Sequence, residues 1–207
     1  MNNEEKDLST EEKIKEAARQ IFQQKGFAGT RTRDIAEAAG INLALLNYYY
    51  RSKEKLFSIV MEESLKELFQ QVQQIVRDEN TTLAEKIDII INLYVDILIE
   101  NPNLPLFILS EIQANPQLFQ QKIGLSLPFL SNLVIIKQTE QQLKQAGLEN
   151  INPFHFLLNA VSMIVFPFIA KPLIKSVAGT DEATFRQFVD ERRVLVSMWV
   201  KNMLQIQ

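Results

Sequence analysis

Apolar residues recur at helical spacing along almost the whole chain, and no alternating strand pattern persists. The first apolar stripe consists of Ile14, Ala17, Ala18, Ile21 and Phe22. Ser9-Thr10-Glu11-Glu12 is a capping box that predicts the start of this helix at Ser9, and Gly26 predicts its end. The pattern therefore predicts an all-α protein that begins with an amphipathic helix.

Two short helices joined by a tight turn are predicted next. The first runs from about Arg33 to Ala39 with Thr32 as its cap, and the second follows Asn42 as its cap. Gly40, between them, can adopt the left-handed conformation that ends a helix. The second helix is too short to be stable alone, so it must pack against the two before it.

Longer helices are predicted beyond this unit. Ser52 caps one that links two parts of the molecule, and Thr82 to Glu85 is a capping box for the next. Further segments are predicted at about 105–115, in a Pro128-kinked stretch up to Gly147, after Asn152-Pro153, and after 179–181.

The expected organisation is an N-terminal arm and two domains. We expect a flexible arm over 1–8, a three-helix helix-turn-helix domain over 9–55 and a larger C-terminal helical bundle over 56–207. About nine helices are expected in total.

Composition excludes several classes of protein. Apolar residues make up 46% and charged residues 23% of the chain, which is ordinary for a folded protein. The chain has no cysteine and one histidine, His155, so disulfides, thiolate metal sites and a cysteine nucleophile are excluded. The sequence contains no G-x-S-x-G motif and no glycine-rich phosphate loop. We therefore expect no enzyme activity, no metal and no cofactor.

One segment has to be weighed as a membrane span. The 21 residues 150–170 carry no charge, but they include asparagines, a serine, a histidine and two prolines. A spanning helix needs about 20 predominantly apolar residues, so a helix buried in a core or in a subunit interface is the favoured interpretation. The polar, acidic N-terminus does not resemble a signal peptide. These features predict a cytoplasmic protein without a membrane partner.

Charge is distributed unevenly between the two parts. Residues 25–55 contain six basic and three acidic side chains, a net charge of +3, whereas residues from 56 onward contain 12 basic and 16 acidic ones, a net charge of −4. A basic island on an acidic body suits a protein whose one end meets a polyanion. The third helix directs small, amide and aromatic residues outward: Asn42, Leu43, Ala44, Asn47, Tyr48 and Tyr49. Flanked by Arg31, Arg33, Arg51 and Lys53, such a helix has the chemistry of a recognition helix in the major groove.

These residues carry a resemblance to a known family. Thr32, Ile35-Ala36, Ala39-Gly40-Ile41, the run 46–50 (LNYYY) and the run 52–56 (SKEKL) resemble the DNA-binding domain of TetR-family repressors. The resemblance covers about residues 10 to 57, and the rest agrees only in its helical architecture.

The resemblance implies a role for each matching position. It implies phosphate contacts by Thr32, Tyr49 and Lys53, base or groove contacts by Arg33, Leu43, Ala44 and Asn47, Tyr48 at the groove edge, and a buried Tyr50. Arg31 is either a further contact or a solvated charge. Asn47 stands where tyrosine is common, and Leu43 where many members carry a polar reader. The Asn47 amide could bond adenine with both of its groups or contact phosphate.

The resemblance also implies that the C-terminal body binds a small effector and forms a homodimer. Candidate pocket residues are Tyr94, Phe107, Phe129, His155, Asn159 and Phe166, for which ordinary core packing is the alternative. Candidate dimer residues are Phe168, Phe188, Val196 and Trp199. Scarce buried charge favours an apolar or amphipathic effector.

The sequence thus predicts a ligand-responsive repressor that binds a palindromic DNA operator as a homodimer. The alternative is a helical interaction or lipid-binding protein whose DNA-binding end is vestigial.

Overall fold

A computed structural model describes residues 3–124 and 132–206 of the protein, with side chains from residue 10 onward. Its helices in chain order are α1 (Asn3–Gly29), α2 (Thr32–Ala38), α3 (Leu43–Tyr49), α4 (Lys53–Arg77), α5 (Leu83–Glu100), α6 (Leu104–Ala114), α7 (Pro116–Ile123), α8 (Val134–Gln145), α9 (Phe154–Ile169), α10 (Lys171–Ala178) and α11 (Glu182–Met203). The described residues therefore contain eleven helices, more than the nine or so expected. The all-helical class is confirmed.

Helix α1 differs from the prediction at both ends. It begins at Asn3, ahead of the predicted cap at Ser9. It also continues to Gly29, but with a break at Gly26, whose φ of 69° lies in the left-handed region that favours glycine. The predicted stop is thus a kink, and the Thr30 hydroxyl donates to the Gly26 carbonyl across it at 2.7 Å.

The predicted caps of α3, α4 and α5 are confirmed. The side chains of Asn42 and Ser52 accept from the backbone N–H groups of Leu45 and Lys55 at 2.8 and 3.1 Å. Thr82 and Glu85 form the reciprocal capping box at 3.2 and 2.8 Å. Each cap satisfies an amide that the first helical turn leaves unpaired.

Helix α5 forms the centre of the C-terminal body. It packs against α4, α8, α9 and α11. Its buried face consists of Leu83, Ile87, Ile90, Ile91, Val95 and Leu98. These apolar residues form the core side of α5, and Tyr94, the one aromatic residue of this helix, is half-buried.

Two kinds of contact connect the N-terminal domain to the body. Lys15 and Arg19 of α1 form ion pairs with Glu63 of α4 at 2.7 and 3.3 Å. Phe57 of α4 contacts Phe22 and Phe27 of α1, with ring centroids 5.0 and 4.7 Å apart, and Phe107 of α6 at 6.1 Å. The two domains thus share a packed aromatic cluster rather than a flexible linker.

The uncharged segment after Asn152 forms helix α9, and the shorter α10 that follows begins at Lys171. Helix α9 ends at Ile169, and α10 follows at a bend of 61°. Among the described residues no single helix is long and apolar enough to cross a membrane, and only the bent α9–α10 pair meets that test jointly.

Candidate nucleic-acid interface

The helix-turn-helix is positioned by a small apolar core. Ile35 and Ala36 of α2 and Leu46 of α3 are buried against Phe22 of α1. The α2–α3 turn closes through the Gly40 and Ile41 amides, which donate to Glu37 and Ala36 carbonyls at 3.0 Å each. Gly40 has a φ of 66°, so a side chain there would be strained. The outer face of α3 is therefore held in one orientation.

Three predicted base readers lie on that outer face. Ala44 and Asn47 are exposed, and Tyr48 is 78% exposed. An aromatic side chain so exposed contributes little to the fold, so its place on the surface of α3 is suited to contacts with another molecule. Tyr48 packs edge-on against Tyr49, with ring centroids 5.5 Å apart.

Leu43, predicted to contact bases or the groove, and Tyr49, predicted to contact phosphate, are less available. Leu43 and Tyr49 are half-buried and pack against the core. Asn42 is exposed, but its side-chain oxygen is occupied by the cap of α3. Its amide nitrogen is the group of Asn42 suited to donate to DNA.

The basic rim of α2 is exposed. Arg31 and Arg33 are both exposed, and Thr32 is half-buried. The prediction of Thr32 as the cap was wrong: α2 begins at Thr32, and its cap is Arg31, whose amide donates to Asp34 at 3.1 Å. The Lys25 ammonium, 3.0 Å from Asp34, lowers the pKa of that carboxyl, as does the Arg31 amide. Asp34 therefore stays ionised beside the rim, where it forms an ion pair with Lys25.

Lys53 has partners that the sequence did not reveal. Its ammonium donates to the backbone carbonyls of Phe27 and Thr30 at 2.9 and 3.1 Å and lies 4.2 Å from the Phe27 ring centroid. It thus connects the start of α4 to the segment between α1 and α2. The pattern "SKEKL" marks a capped helix start, but it contains no signal of a contact 26 residues away.

Tyr50 is buried, as the resemblance implied. It is 2% exposed, and its hydroxyl donates to Glu11 at 3.2 Å. Burial raises the pKa of Tyr50 far above its ordinary value, and the nearby Glu11 carboxylate adds to the shift. The phenol therefore stays protonated and joins α1 to the end of α3.

The six residues predicted for a ligand pocket are not brought together. His155, Asn159 and Phe166 lie on the outer side of α9, where Phe166 is 64% exposed. Phe107 is buried in the aromatic cluster, Tyr94 is half-buried on α5, and Phe129 lies outside the described residues. Because α9 is apolar on nearly all sides, periodicity could not tell its inner face from its outer one, and the ligand pocket stays a prediction.

Of the four residues predicted for the dimer interface, two are buried within the protomer and two lie beside Arg192. Phe168 and Val196 are buried within the protomer, so they cannot also cover a partner. Phe188 and Trp199 flank the Arg192 guanidinium at 5.7 and 5.5 Å. The apolar side chains that α9 and α11 expose instead are Leu158, Phe166, Val194, Leu195 and Met198.

A groove of about 450 Å³ lies between α4 and α7. Ile59, Phe69 and Ile123 supply apolar walls, and Lys66 and Gln70 supply polar ones. Glu63, which holds Lys15 and Arg19 of α1, also faces this groove. The groove therefore has the size of a small-molecule site and adjoins the contacts between the domains.

Comparisons with known proteins agree with this geometry. Residues 14–60 match the family model of bacterial regulatory proteins, tetR family. The chain is 28% identical over 176 residues to the probable HTH-type transcriptional regulator YttP of Bacillus subtilis, covering 82% of each protein. It is 29% identical over 192 residues to the HTH-type transcriptional regulator RutR of Escherichia coli O157:H7, covering 88% of this chain and 87% of that one.

The fold also has counterparts among solved structures. A crystal structure of a transcriptional regulator from Streptomyces coelicolor superposes with a TM-score of 0.54 at 21% identity, covering 94% of this chain and 97% of the other. At that identity the likeness concerns the fold alone.

Proposed function

We propose, from the match of residues 14–60 to the family model of bacterial regulatory proteins, tetR family, that the protein is a ligand-responsive repressor that binds a palindromic operator as a homodimer. The observation that supports this proposal most directly is the exposed face of α3. Ala44, Asn47 and Tyr48 project there, and the exposed side chains of Arg31 and Arg33 lie on α2 and at its start. A helix of this kind fits the major groove, with bases on the rim contacting phosphate and α3 reading base edges. The protein would act in the cytoplasm, where a bacterial operator lies.

The proposal predicts that binding is specific and that Asn47 reads one base pair. Asn47→Ala is expected to cost about 1–3 kcal/mol of discrimination at a single position, because an amide bonds adenine through two groups. Promoter fragments selected by the protein would be titrated at moderate salt, each base pair varied in turn, with exposed Gln20→Ala on α1 as the control.

Two outcomes would contradict it. Wild-type protein that binds random and selected DNA equally would favour the alternative of a helical interaction or lipid-binding protein. An Asn47→Ala effect that is equal at every base pair would assign Asn47 to phosphate instead.

We propose the α4–α7 groove as the effector site, for an amphipathic small molecule. Its size, its mixed lining and the presence of Glu63 in its wall support this assignment. An effector there would act on the group that ties α4 to α1, and so shift the population between two arrangements of the recognition helices.

The groove can be tested with the amphipathic dye 1-anilinonaphthalene-8-sulfonate. Gln70→Trp, which fills the groove from its exposed rim, is expected to weaken dye binding by on the order of tenfold. Gln71→Trp, an exposed position of α4 outside the groove, is the matched control. Equal effects of the two substitutions in a fluorescence titration would show that the dye does not bind in the groove.

A further inference from the structure

A second cavity lies where the DNA-binding domain meets the body. This junction crevice, of about 440 Å³, is bounded by Gln23 and Gln24 of α1 on one side and by the first two turns of α11 on the other. Its volume falls within the range of about 300–1,000 Å³ that small-molecule sites occupy. Its walls include no residue of the α4–α7 groove, so the two cavities are distinct.

The floor of the junction crevice is apolar. Leu98 of α5, Phe168 of α9, and Phe185 and Val189 of α11 line it, and all four are buried. Phe168 and Phe185 meet edge to face, with ring centroids 6.0 Å apart. The floor continues at its edge into the half-buried side chains of Ile99 and Pro102, so an apolar ligand that lies over it removes their exposed surface from water.

The rim of the crevice carries an excess of positive charge. Lys171 and Lys175 share one carboxylate, that of Glu182, at 2.6 and 3.2 Å. Arg186, one turn after Glu182, is exposed and has no hydrogen bond or ion pair within the part of the chain that the structure describes. Of these groups Lys171, Glu182 and Arg186 line the crevice and together carry a net charge of +1, and Arg186 can bind a carboxylate through two parallel hydrogen bonds.

From this arrangement we propose that the junction crevice binds a small amphipathic anion, a carboxylate with an apolar body. The carboxylate pairs with Arg186, and the apolar body covers Phe168 and Phe185 on the floor. Gln24 closes the site from the side of α1.

Such a ligand would contact both domains at once. Helix α1 is already joined to the body beside the crevice, where the Asn103 amide donates to the Phe22 carbonyl at 3.1 Å and that of Gln23 to the Ile99 carbonyl at 3.5 Å. An occupant between Gln24 and Arg186 therefore stabilises the present arrangement of the two domains against any that opens the crevice.

Three probes with the same eight-carbon alkyl chain and different head groups test the site without DNA. Octanoate, 1-octanol and octylammonium would be titrated calorimetrically at low ionic strength, where screening is weak. We expect octanoate to bind about fivefold more tightly than 1-octanol, and octylammonium to bind most weakly, since a partly exposed charge pair adds a modest free energy. Octanoate should also slow amide exchange in residues 22–26 and 185–189 together.

Four variants locate the binding, two within the crevice and two as controls outside it. Arg186→Gln is expected to bring the affinity for octanoate close to that for 1-octanol, and Gln24→Trp, which occupies the crevice, to abolish binding of both. Lys144→Gln removes an exposed cation of α8 and should change neither affinity. Gln70→Trp, which fills the α4–α7 groove, should also leave octanoate binding intact.

Several results would overturn the proposal. One is that the Arg186→Gln variant still binds octanoate more tightly than 1-octanol. Others are that octanoate still binds to the Gln24→Trp variant, or no longer binds to the Gln70→Trp variant. The last is that octanoate slows amide exchange in the body but not in residues 22–26 of α1. The titration contains no DNA, so its outcome is independent of the proposed repressor function. Absence of operator binding by the wild-type protein would contradict that function alone.

Discussion

Val194→Glu is expected to convert the proposed dimer to a monomer and to weaken operator binding by on the order of 100-fold or more, because two linked half-site contacts become independent. Val194 is 70% exposed on α11, where Leu195 and Met198 are exposed as well. In a two-fold interface both protomers contribute the same surface. The substitution therefore adds two carboxylates to the interface, one from each protomer. The fold itself should tolerate the change, since an exposed substitution usually costs less than about 0.5 kcal/mol.

The measurement is multi-angle light scattering followed by operator titration. Leu106→Glu, on an exposed part of α6 rather than on α11, is the matched control and should remain dimeric. A wild-type protein that scatters as one chain at micromolar concentration would contradict the dimer. A dimeric Val194→Glu variant would place the interface on another surface.

Lys53→Ala is expected to weaken operator binding about 10- to 100-fold and to lower the free energy of unfolding by about 1–3 kcal/mol, because two charge-assisted hydrogen bonds are lost. The ammonium now holds the Phe27 and Thr30 carbonyls, and through them the segment that leads into α2. Without it, the orientation of α2 and α3 relative to α4 loosens. The loss of affinity would then arise from misplacement of the recognition helix.

The salt dependence of binding separates this role from the phosphate contact that the resemblance implied. A lost phosphate contact lowers the slope of log affinity against log salt by about 0.9, whereas a lost clamp leaves the slope nearly unchanged. Lys55→Ala, an exposed lysine in the same turn, is the control for net charge. If Lys53→Ala leaves the thermal stability unchanged and lowers the slope of log affinity against log salt, Lys53 contacts phosphate instead.

Local sequence patterns were most informative in the DNA-binding domain. The caps at Asn42, Ser52 and Thr82 were predicted from residue types alone, because a cap is formed by groups within three positions of each other. The buried stripe of α1 and the buried faces of α2 and α3 followed from helical periodicity for the same reason. The family-specific pattern added the predicted DNA contacts, of which Ala44, Asn47 and Tyr48 are exposed.

Prediction was poorest on α9 and α11. Both helices carry apolar residues around much of their circumference, so several sides compete for burial. The structure buries Phe168 and Val196 inside the protomer and exposes Phe166 and Val194. Which side faces inward depends on the neighbouring helices, and their positions are not encoded in the spacing of one segment.

The sequence alone determined that this protein is helical, where α3, α4 and α5 are capped, and which short helix carries the exposed amide and aromatic side chains, since those features depend on neighbours a few residues apart. Tertiary structure decided the partners of Lys53, the exposed face of α9 and α11, and the junction crevice. These arise from contacts between residues distant in the chain, such as Lys53 with Phe27 and Gln23 with Ile99. Only the packing of complete helices brings such groups within bonding distance.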